Sequence, residues 1–313
     1  MTVADLVTPH FVDRVAVLEK CRYFTTCQIW PLRTRADPEA WLENFRDDEL
    51  PHAIQLLNSV LLFQTPFIDR LFYSAFQSLS RFLFKPGDSL TIAQSRWRTF
   101  VDSVLLTHVT GEDPSTTDSG YTFARKAKKV LGIDESRILP PDEVLKRLVN
   151  SGPQPVVFVD DFVGSGNQFV TSWHREYSIG PGSRLSFAKA AATGSGPFAY
   201  TPLICTSQGY AVIAQDCPVV KIQAAHVLDP RYSAIHPQSV IWPDSLRSSA
   251  HQFLRTVSLR AGVPDSPGSV DHFEGFNSLG LTIAFEDSVP DASLPILRWT
   301  ANDWKPLLRT LVS

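Results

Sequence analysis

The chain has 313 residues, of which 43% are hydrophobic and 19% are charged, and its formal net charge is -3. This composition excludes a disordered protein and predicts one large domain or two modest ones. The small negative charge gives no general attraction to nucleic acid, so the sequence carries no strong nucleic-acid signal.

The cysteine pattern and the most apolar stretch of the sequence indicate the cellular compartment of the protein. The cysteines are too scattered for a disulfide framework or a zinc site, so we expect reduced thiols: Cys21, Cys27, Cys205 and Cys217. The apolar residues 56–76 contain Gln64, Pro66 and Asp69-Arg70, so they do not predict a membrane-spanning helix. The first 20 residues are unlike a secretory signal. We therefore expect a cytoplasmic protein with no membrane partner.

Residues 1–100 are predicted to form a helical N-terminal region. Asp37-Pro38-Glu39 is typical of a helix start, with a capping aspartate, a proline in the first turn and an acid near the positive end of the helix. Further apolar helices are expected around 52–64 and 67–84. The many Leu and Phe residues of these helices predict a surface that packs on the next domain or on another subunit.

Residues 101–313 show alternating strand-like and helix-like segments, which predict a second, α/β domain. The predicted strands lie around 101–109, 155–161, 199–206, 218–228 and 279–286. The predicted helices lie around 121–132, 141–150, 167–177, 208–216 and 244–261, and the expected loops are 178–184, 193–197 and 262–270. This order is typical of a parallel sheet flanked by helices.

The stretch VVFVDDFVGSGNQF, residues 156–169, carries the strongest functional signal. Asp160 and Asp161 are predicted at the carboxyl end of a buried strand, where open α/β sheets bind ligands. The following residues, Gly164, Ser165, Gly166, Asn167 and Gln168, form a turn and a helix start whose amides suit a phosphate. The two carboxylates suit sugar hydroxyls or a hydrated Mg²⁺. A phosphorylated sugar satisfies both halves of the motif.

Other interpretations of this motif fit less well. A Walker A loop requires a lysine after the last glycine, and Asn167 stands there instead. A dinucleotide fingerprint requires three spaced glycines, which this turn lacks. A plain strand–helix connection with one capping aspartate leaves the other acid unexplained.

The motif resembles the phosphoribosyl-pyrophosphate (PRPP) signature of type I phosphoribosyltransferases. The resemblance implies that Asp160 and Asp161 contact the ribose hydroxyls and that residues 164–168 hold the 5′-phosphate. The sequence departs from the family where threonines are usual, since Gly164, Ser165 and Gln168 stand there. Phosphate binding would then depend more on backbone amides.

An upstream loop resembles the diphosphate loop of the same fold. It is a small-residue turn between a predicted strand and helix, and its candidate ligand-binding residues are Thr117, Asp118, Ser119 and Gly120. Arg125, on the helix that follows, is either part of a solvated face or a phosphate contact.

Most of residues 35–310 resemble PRTase-CE, a phosphoribosyltransferase-like family of bacterial conflict and antiphage systems. The C-terminal part is expected to be a hood-like segment whose strand and acidic loop are similar to those of purine phosphoribosyltransferases, and by that analogy Phe285 stacks on a base and Asp287 or Asp291 approaches Mg²⁺. A core aromatic beside a solvated loop is the plainer interpretation of the same residues. Asp160, Asp161 and Asp287 are therefore the candidate metal ligands.

The expected function is transfer of a ribosyl-phosphate group from PRPP or a related ribose phosphate, with Asp160 and Asp161 as catalytic residues and Mg²⁺ as cofactor. The alternative is an inactive PRPP- or nucleotide-sensing subunit, or a scaffold, of a defence complex. Other defence subunits are candidate partners through the N-terminal helices.

Overall fold

The computed structural model describes residues 12–111 and 119–309. Its contacts divide the chain into two compact units, a first from Met1–Thr65 with Asp229–Ser313 and a second from Pro66–Leu228. The predicted boundary after residue 100 falls inside a helix that spans Leu90–Ser103. The N-terminal helices are thus shared between the units, because the C-terminal residues return to pack on the first sixty.

The described residues form eleven helices: α1 (Arg14–Thr26), α2 (Pro38–Leu42), α3 (Leu50–Ser59), α4 (Thr65–Ser78), α5 (Leu90–Ser103), α6 (Ser119–Leu131), α7 (Pro141–Ser151), α8 (Asn167–His174), α9 (Phe187–Ala192), α10 (Ser207–Asp216) and α11 (Asp244–Ala261). They also form nine strands: β1 (Leu61–Phe63), β2 (Leu105–His108), β3 (Val156–Val163), β4 (Tyr177–Gly180), β5 (Ser183–Leu185), β6 (Phe198–Thr206), β7 (Val220–Ile222), β8 (His226–Leu228) and β9 (Ile283–Phe285). None of the helices in the described ranges is long and apolar enough to cross a membrane.

The second unit contains a parallel sheet of five strands. The strand order is β2-β3-β6-β7. The fifth strand, β8, pairs with the last residues of β6, whereas β7 pairs with its first residues. Val156 of β3 lies between Leu105 of β2 and Phe198 of β6 in the register. The predicted α/β fold, with a parallel sheet flanked by helices, is confirmed.

Aromatic residues fill the core between β3, β6 and the helices α8 and α9. The ring of Phe158 packs edge-on against Phe169 and Phe187, with centroids 5.3 and 4.7 Å apart. Tyr200 stacks on Phe169 at 4.2 Å. The rings and β-branched neighbours make β3 a strand buried along nearly its whole length, as central parallel strands require.

Several predicted boundaries in the second unit are wrong. The expected loop 178–184 belongs to a hairpin of β4 and β5, and α8 ends at His174 rather than near 177. The run 218–228 is two strands, because β7 and β8 pair with different parts of β6. Residues 101–103, predicted as strand, complete α5.

The first unit packs α1, α2, α3 and α11 around one apolar core. Asp37 caps α2 by accepting a hydrogen bond from the Ala40 amide, which confirms the predicted helix start. Trp41 of α2 is fully buried and donates to the carbonyl of Ile296. The helix predicted around 52–64 ends earlier than expected, at Ser59. The residues that follow form β1, which pairs in parallel with β9.

Candidate functional site

Asp160 and Asp161 lie inside β3 rather than at its end. The strand continues because Phe162 and Val163 still pair with Ile204 and Cys205 of β6. The two acids are therefore buried, with exposed fractions of 3% and 8%. The prediction that they terminate the strand is wrong, although they remain close to its carboxyl end.

Two neutral groups donate hydrogen bonds to the Asp160 carboxyl. The Tyr200 hydroxyl donates to Oδ2 at 3.0 Å, and the Asp161 amide donates to Oδ1 at 3.0 Å. Burial raises the pKa of Asp160 well above its usual range, and the neighbouring Asp161 carboxyl raises it further. The hydrogen bond from Tyr200 opposes this shift only in part.

Tyr200 is a buried hydrogen-bond donor, and its phenol is protonated at neutral pH. Burial raises the pKa of its phenol well above the usual value, and the nearby Asp160 acts in the same direction. Its ring lies within 17° of parallel to Phe169, near the start of α8. Tyr200 thus links β6, the acid pair and the helix that follows the glycine turn.

The glycine turn packs against the start of α10. Gly166 has φ of +85°, and a Cβ there would lie 2.7 Å from the Gly209 carbonyl oxygen. A Cβ on Gly209 would lie 2.3 Å from the Gly164 carbonyl oxygen. Glycines are required at 166 and 209 because two backbones approach each other directly.

Thr206 stabilises the contact between the glycine turn and the start of α10. Its hydroxyl donates to the Gly164 carbonyl at 2.5 Å and accepts from the Gly209 amide at 2.9 Å. The same side chain therefore caps α10 and holds the turn that precedes α8.

The start of α8 presents backbone amides. The first-turn amides of a helix have no acceptor within the helix. Among the described contacts of this turn, the Asn167 amide donates to the Ser165 hydroxyl at 3.4 Å. Asn167 and Gln168 are exposed, while Ser165 is half-buried. Ser165 thus orders the turn as well as offering a hydroxyl.

A polar cluster not predicted from the sequence anchors the segment after β2. The hydroxyl of Thr110 lies 3.2 Å from the Ser172 hydroxyl and 2.9 Å from the Tyr177 hydroxyl. Arg175 donates to the same Thr110 oxygen at 2.8 Å. These residues join the carboxyl end of β2 to α8 and to the β4–β5 hairpin.

The predicted diphosphate loop is only partly described. Thr117 and Asp118 lie outside the described residues, whereas Ser119 and Gly120 begin α6. Arg125 of α6 lines a cavity of about 360 Å³ together with His108 and Lys128. Its role as a phosphate contact stays a prediction.

Phe285 and Asp287 belong to the first unit, whereas the acid pair belongs to the second. Phe285 is 6% exposed, and its ring centroid lies 5.6 Å from that of Phe63 across the β1–β9 pair. Phe285 and Asp287 line a cavity of about 20 Å³, which has room for one water molecule. Base stacking by Phe285 and metal binding by Asp287 stay predictions. Asp291 is exposed, yet its pKa is raised, because partial desolvation of the carboxyl outweighs the opposing effect of Arg298.

The described residues contain no group of three or more His, Cys, Asp or Glu side chains arranged to hold a metal ion. Two adjacent carboxylates, Asp160 and Asp161, nevertheless fit Mg²⁺, which proteins often bind through one or two carboxylates while substrate phosphates supply further oxygens. The donor set therefore fits a metal that arrives with its substrate.

Comparison with known proteins identifies one family. The PRTase-CE family model matches residues 38–309, which is nearly the whole chain. No curated protein matches the sequence.

Proposed function

The chain belongs to the PRTase-CE family, and on that basis we propose that it binds PRPP or a related ribose phosphate and transfers the ribosyl-phosphate group in bacterial antiphage defence. The family makes the protein phosphoribosyltransferase-like. One observation carries the finer proposal: a buried carboxylate pair, a glycine turn and a helix start follow one another within residues 160–168.

The 5′-phosphate is assigned to the turn and the start of α8. Amides at a helix start and the positive end of the helix dipole favour an anion. The exposed side chains of Asn167 and Gln168 add donors beside these amides. Gly166 is buried against Gly209, and this direct backbone contact fixes the turn that leads into α8.

The ribose hydroxyls are assigned to Asp160 and Asp161. Carboxylates accept hydrogen bonds from sugar hydroxyls, and fixing the sugar lowers the entropic cost of reaction at C1. Bound Mg²⁺ would neutralise charge on the departing diphosphate, and Asp160 and Asp161 are the residues of this unit that would hold it.

The proposed reaction is a displacement at C1 of the ribose. The bond from C1 to the diphosphate oxygen breaks, and the diphosphate leaves with the electron pair. A nucleophilic atom of the acceptor forms the new bond to C1. A nucleobase, a nucleotide or a macromolecule has the required nucleophile, and modification of a cellular component would explain toxicity in defence.

Calorimetric titration with PRPP and Mg²⁺, followed by an assay for released diphosphate, tests this proposal. Saturable binding together with diphosphate release that requires an acceptor is expected. A folded protein that binds neither PRPP nor ribose 5-phosphate would contradict it.

A sensing or scaffold role without turnover is the second candidate. Three positions favour it, since Gly164, Ser165 and Gln168 replace the usual threonines and the Ser165 hydroxyl already accepts a bond from Asn167. The same titration separates the candidates, because a sensor binds PRPP but releases no diphosphate with any acceptor.

We also propose that further defence subunits dock on the N-terminal helices. Exposed apolar residues support this in each unit separately: Val15 and Tyr23 on α1 of the first unit, and Phe67 and Tyr73 on α4 of the second. Mass measurement of the protein alone and with the products of neighbouring genes tests it. Failure of every such pair to associate would remove the proposal.

A further inference from the structure

We propose that the cavity at the outer edge of the parallel sheet binds a small molecule through a phosphate monoester, with Arg125 and Lys128 as the phosphate-binding residues. The cavity lies within the second unit and has a volume of about 360 Å³, which suits a nucleotide-sized ligand. Its described lining comes from β2, α6 and the segment before α7: His108, Arg125, Lys128, Glu135 and residues 138–140. The inference does not depend on the proposed transfer reaction.

The position of this cavity separates it from the site assigned to the 5′-phosphate. Ile138 forms a parallel bridge with Leu106, and the Leu139 amide donates to the Leu106 carbonyl. The segment 138–139 therefore covers the edge of β2 that faces away from β3. The 5′-phosphate is instead assigned to the start of α8, which follows β3 in the chain. A ligand in the cavity thus occupies a second site.

Arg125 supplies the guanidinium donors of the proposed site. Its side chain is exposed and makes no hydrogen bond or ion pair within residues 12–111 and 119–309. A guanidinium presents a rigid fork of donors that matches the oxygens of a phosphate group. Arg125 therefore receives a phosphate without the loss of a hydrogen bond that the described fold uses.

A carboxylate of the protein already lies among these cations. Lys128 donates to Glu135 at 2.6 Å, and this hydrogen bond lowers the pKa of Glu135, with the nearby Arg125 charge acting in the same direction. The side chains of Lys128 and Glu135 are 62% and 77% exposed, so the pair is weak and a ligand can separate it. A phosphate dianion that displaces Glu135 would meet two cations, which balance its charge.

The other walls of the cavity suit the uncharged part of such a ligand. Ile138 and Leu139 are half-buried, Pro140 is exposed, and His108 at the end of β2 is buried. Ligand pockets combine apolar walls of this kind with a few polar groups that fix the orientation of the ligand. The lining therefore favours a nucleotide over inorganic phosphate.

Calorimetric titration with AMP tests the inference, and adenosine is the matched ligand without a phosphate. We expect saturable binding of AMP and no binding of adenosine at the same concentrations. Arg125→Gln should weaken AMP binding at least about tenfold, the effect of losing a charge-assisted hydrogen bond. Lys129→Gln is the control, because Lys129 is exposed on the same helix and lies outside the described lining. It removes the same charge and should leave the affinity nearly unchanged.

Glu135→Gln should give a result of the opposite sign. Loss of this carboxylate releases Lys128 and removes a competing negative charge, so we expect AMP to bind about threefold more tightly. Glu143→Gln is its control, because Glu143 forms a similar exposed pair with Lys146 on α7 and lies outside the described lining. The control should leave the affinity for AMP nearly unchanged.

Any of three results would overturn the inference. The first is a wild-type protein that does not bind AMP saturably or that binds adenosine equally well. The second is equal affinity for AMP in Arg125→Gln and Lys129→Gln, and the third is weaker binding by Glu135→Gln than by the wild type. A protein that binds AMP as expected but binds neither PRPP nor ribose 5-phosphate would uphold the inference and contradict the proposed function.

Discussion

Each unit contains a buried carboxyl group, and the pKa values of the two groups are shifted in opposite directions. In the first unit, Arg260 of α11 donates two hydrogen bonds of 2.6 Å to the Glu49 carboxylate. Burial raises the pKa of Glu49, but the hydrogen bonds from Arg260 and the Arg46 amide outweigh it, so the net pKa is lowered. In the second unit, the described donors to Asp160 are neutral, and its pKa is raised.

We propose that this contrast separates a structural carboxylate from a ligand-binding one. A buried acid paired with a guanidinium has its charge compensated within the fold, and removal of the guanidinium leaves an uncompensated buried charge. The described donors to Asp160 are neutral, and we propose that sugar hydroxyls or a cation complete the surroundings of the acid pair. Strongly perturbed acids beside a helix start are typical of binding sites.

The largest expected effect is the loss of the guanidinium in the first unit. Arg260→Ala leaves Glu49 charged and poorly solvated, so we expect the free energy of unfolding to fall by about 3 kcal/mol while PRPP affinity stays unchanged. Urea unfolding measures this. Arg255→Ala is the control, since Arg255 lies on the same helix with an exposed partner, Asp265, and should cost less than about 1 kcal/mol. Similar losses for both variants would contradict the account.

The next effect concerns the acid pair itself. Asp161→Asn removes a charge-assisted hydrogen bond to the ribose, so the affinity for PRPP should weaken by about 2 kcal/mol, or roughly 30-fold. The free energy of unfolding should not fall, because a like charge beside Asp160 is also removed. Calorimetry and thermal unfolding measure the two quantities. The exposed Asp102→Asn serves as control, and unchanged affinity in a folded Asp161→Asn protein would remove Asp161 from the site.

The third prediction concerns the glycine turn, where we expect a free-energy change similar to or smaller than that for Asp161→Asn. Gly166→Ala places a Cβ at φ of +85° and 2.7 Å from a backbone oxygen, so we expect unfolding to become easier by about 2 kcal/mol. Gly182→Ala, in the turn of the β4–β5 hairpin, has φ of +71° and open space around the added Cβ. It should cost only the backbone strain of about 1 kcal/mol. If the two variants are equally stable, the contact with Gly209 is not tight.

The smallest effect is the acid dependence of the first unit. The lowered pKa of Glu49 means that its contribution is complete above the unfolded pKa of about 4.3 and is lost as pH falls through the folded value. We therefore expect the wild type to be more stable than Glu49→Gln at neutral pH, with the difference vanishing in acid. The contribution of Glu49 ionisation to this difference should be below about 1 kcal/mol, because burial opposes the hydrogen bonds and the net lowering of the pKa is the difference between these effects. A stability difference that grows as pH falls would contradict this sign.

Local signals allowed much of the fold to be predicted. Asp37-Pro38 marks the start of α2, Pro140-Pro141 marks the start of α7, and the bounds of α11 match the predicted 244–261. These predictions succeed because capping residues and apolar periodicity act within a few residues of each other. The family resemblance likewise rests on short motifs and was confirmed.

The parts that could not be predicted depend on long-range pairing. Tyr200 reaches Asp160 only because β6 lies beside β3 in one register, and nothing near Tyr200 in the sequence signals a partner forty residues away. The pairing of β1 with β9 joins Leu61 to Ile283 and has no local signature. The hairpin strands β4 and β5 are short and largely polar, so their sequence resembles a loop.

A crystal structure of the protein with ribose 5-phosphate and Mg²⁺ tests the central claim most directly. The account predicts the phosphate within hydrogen-bonding distance of the amides at residues 166–168 and a ribose hydroxyl bonded to Asp161. A phosphate bound elsewhere, or a ribose that leaves Asp161 without contact, would contradict it.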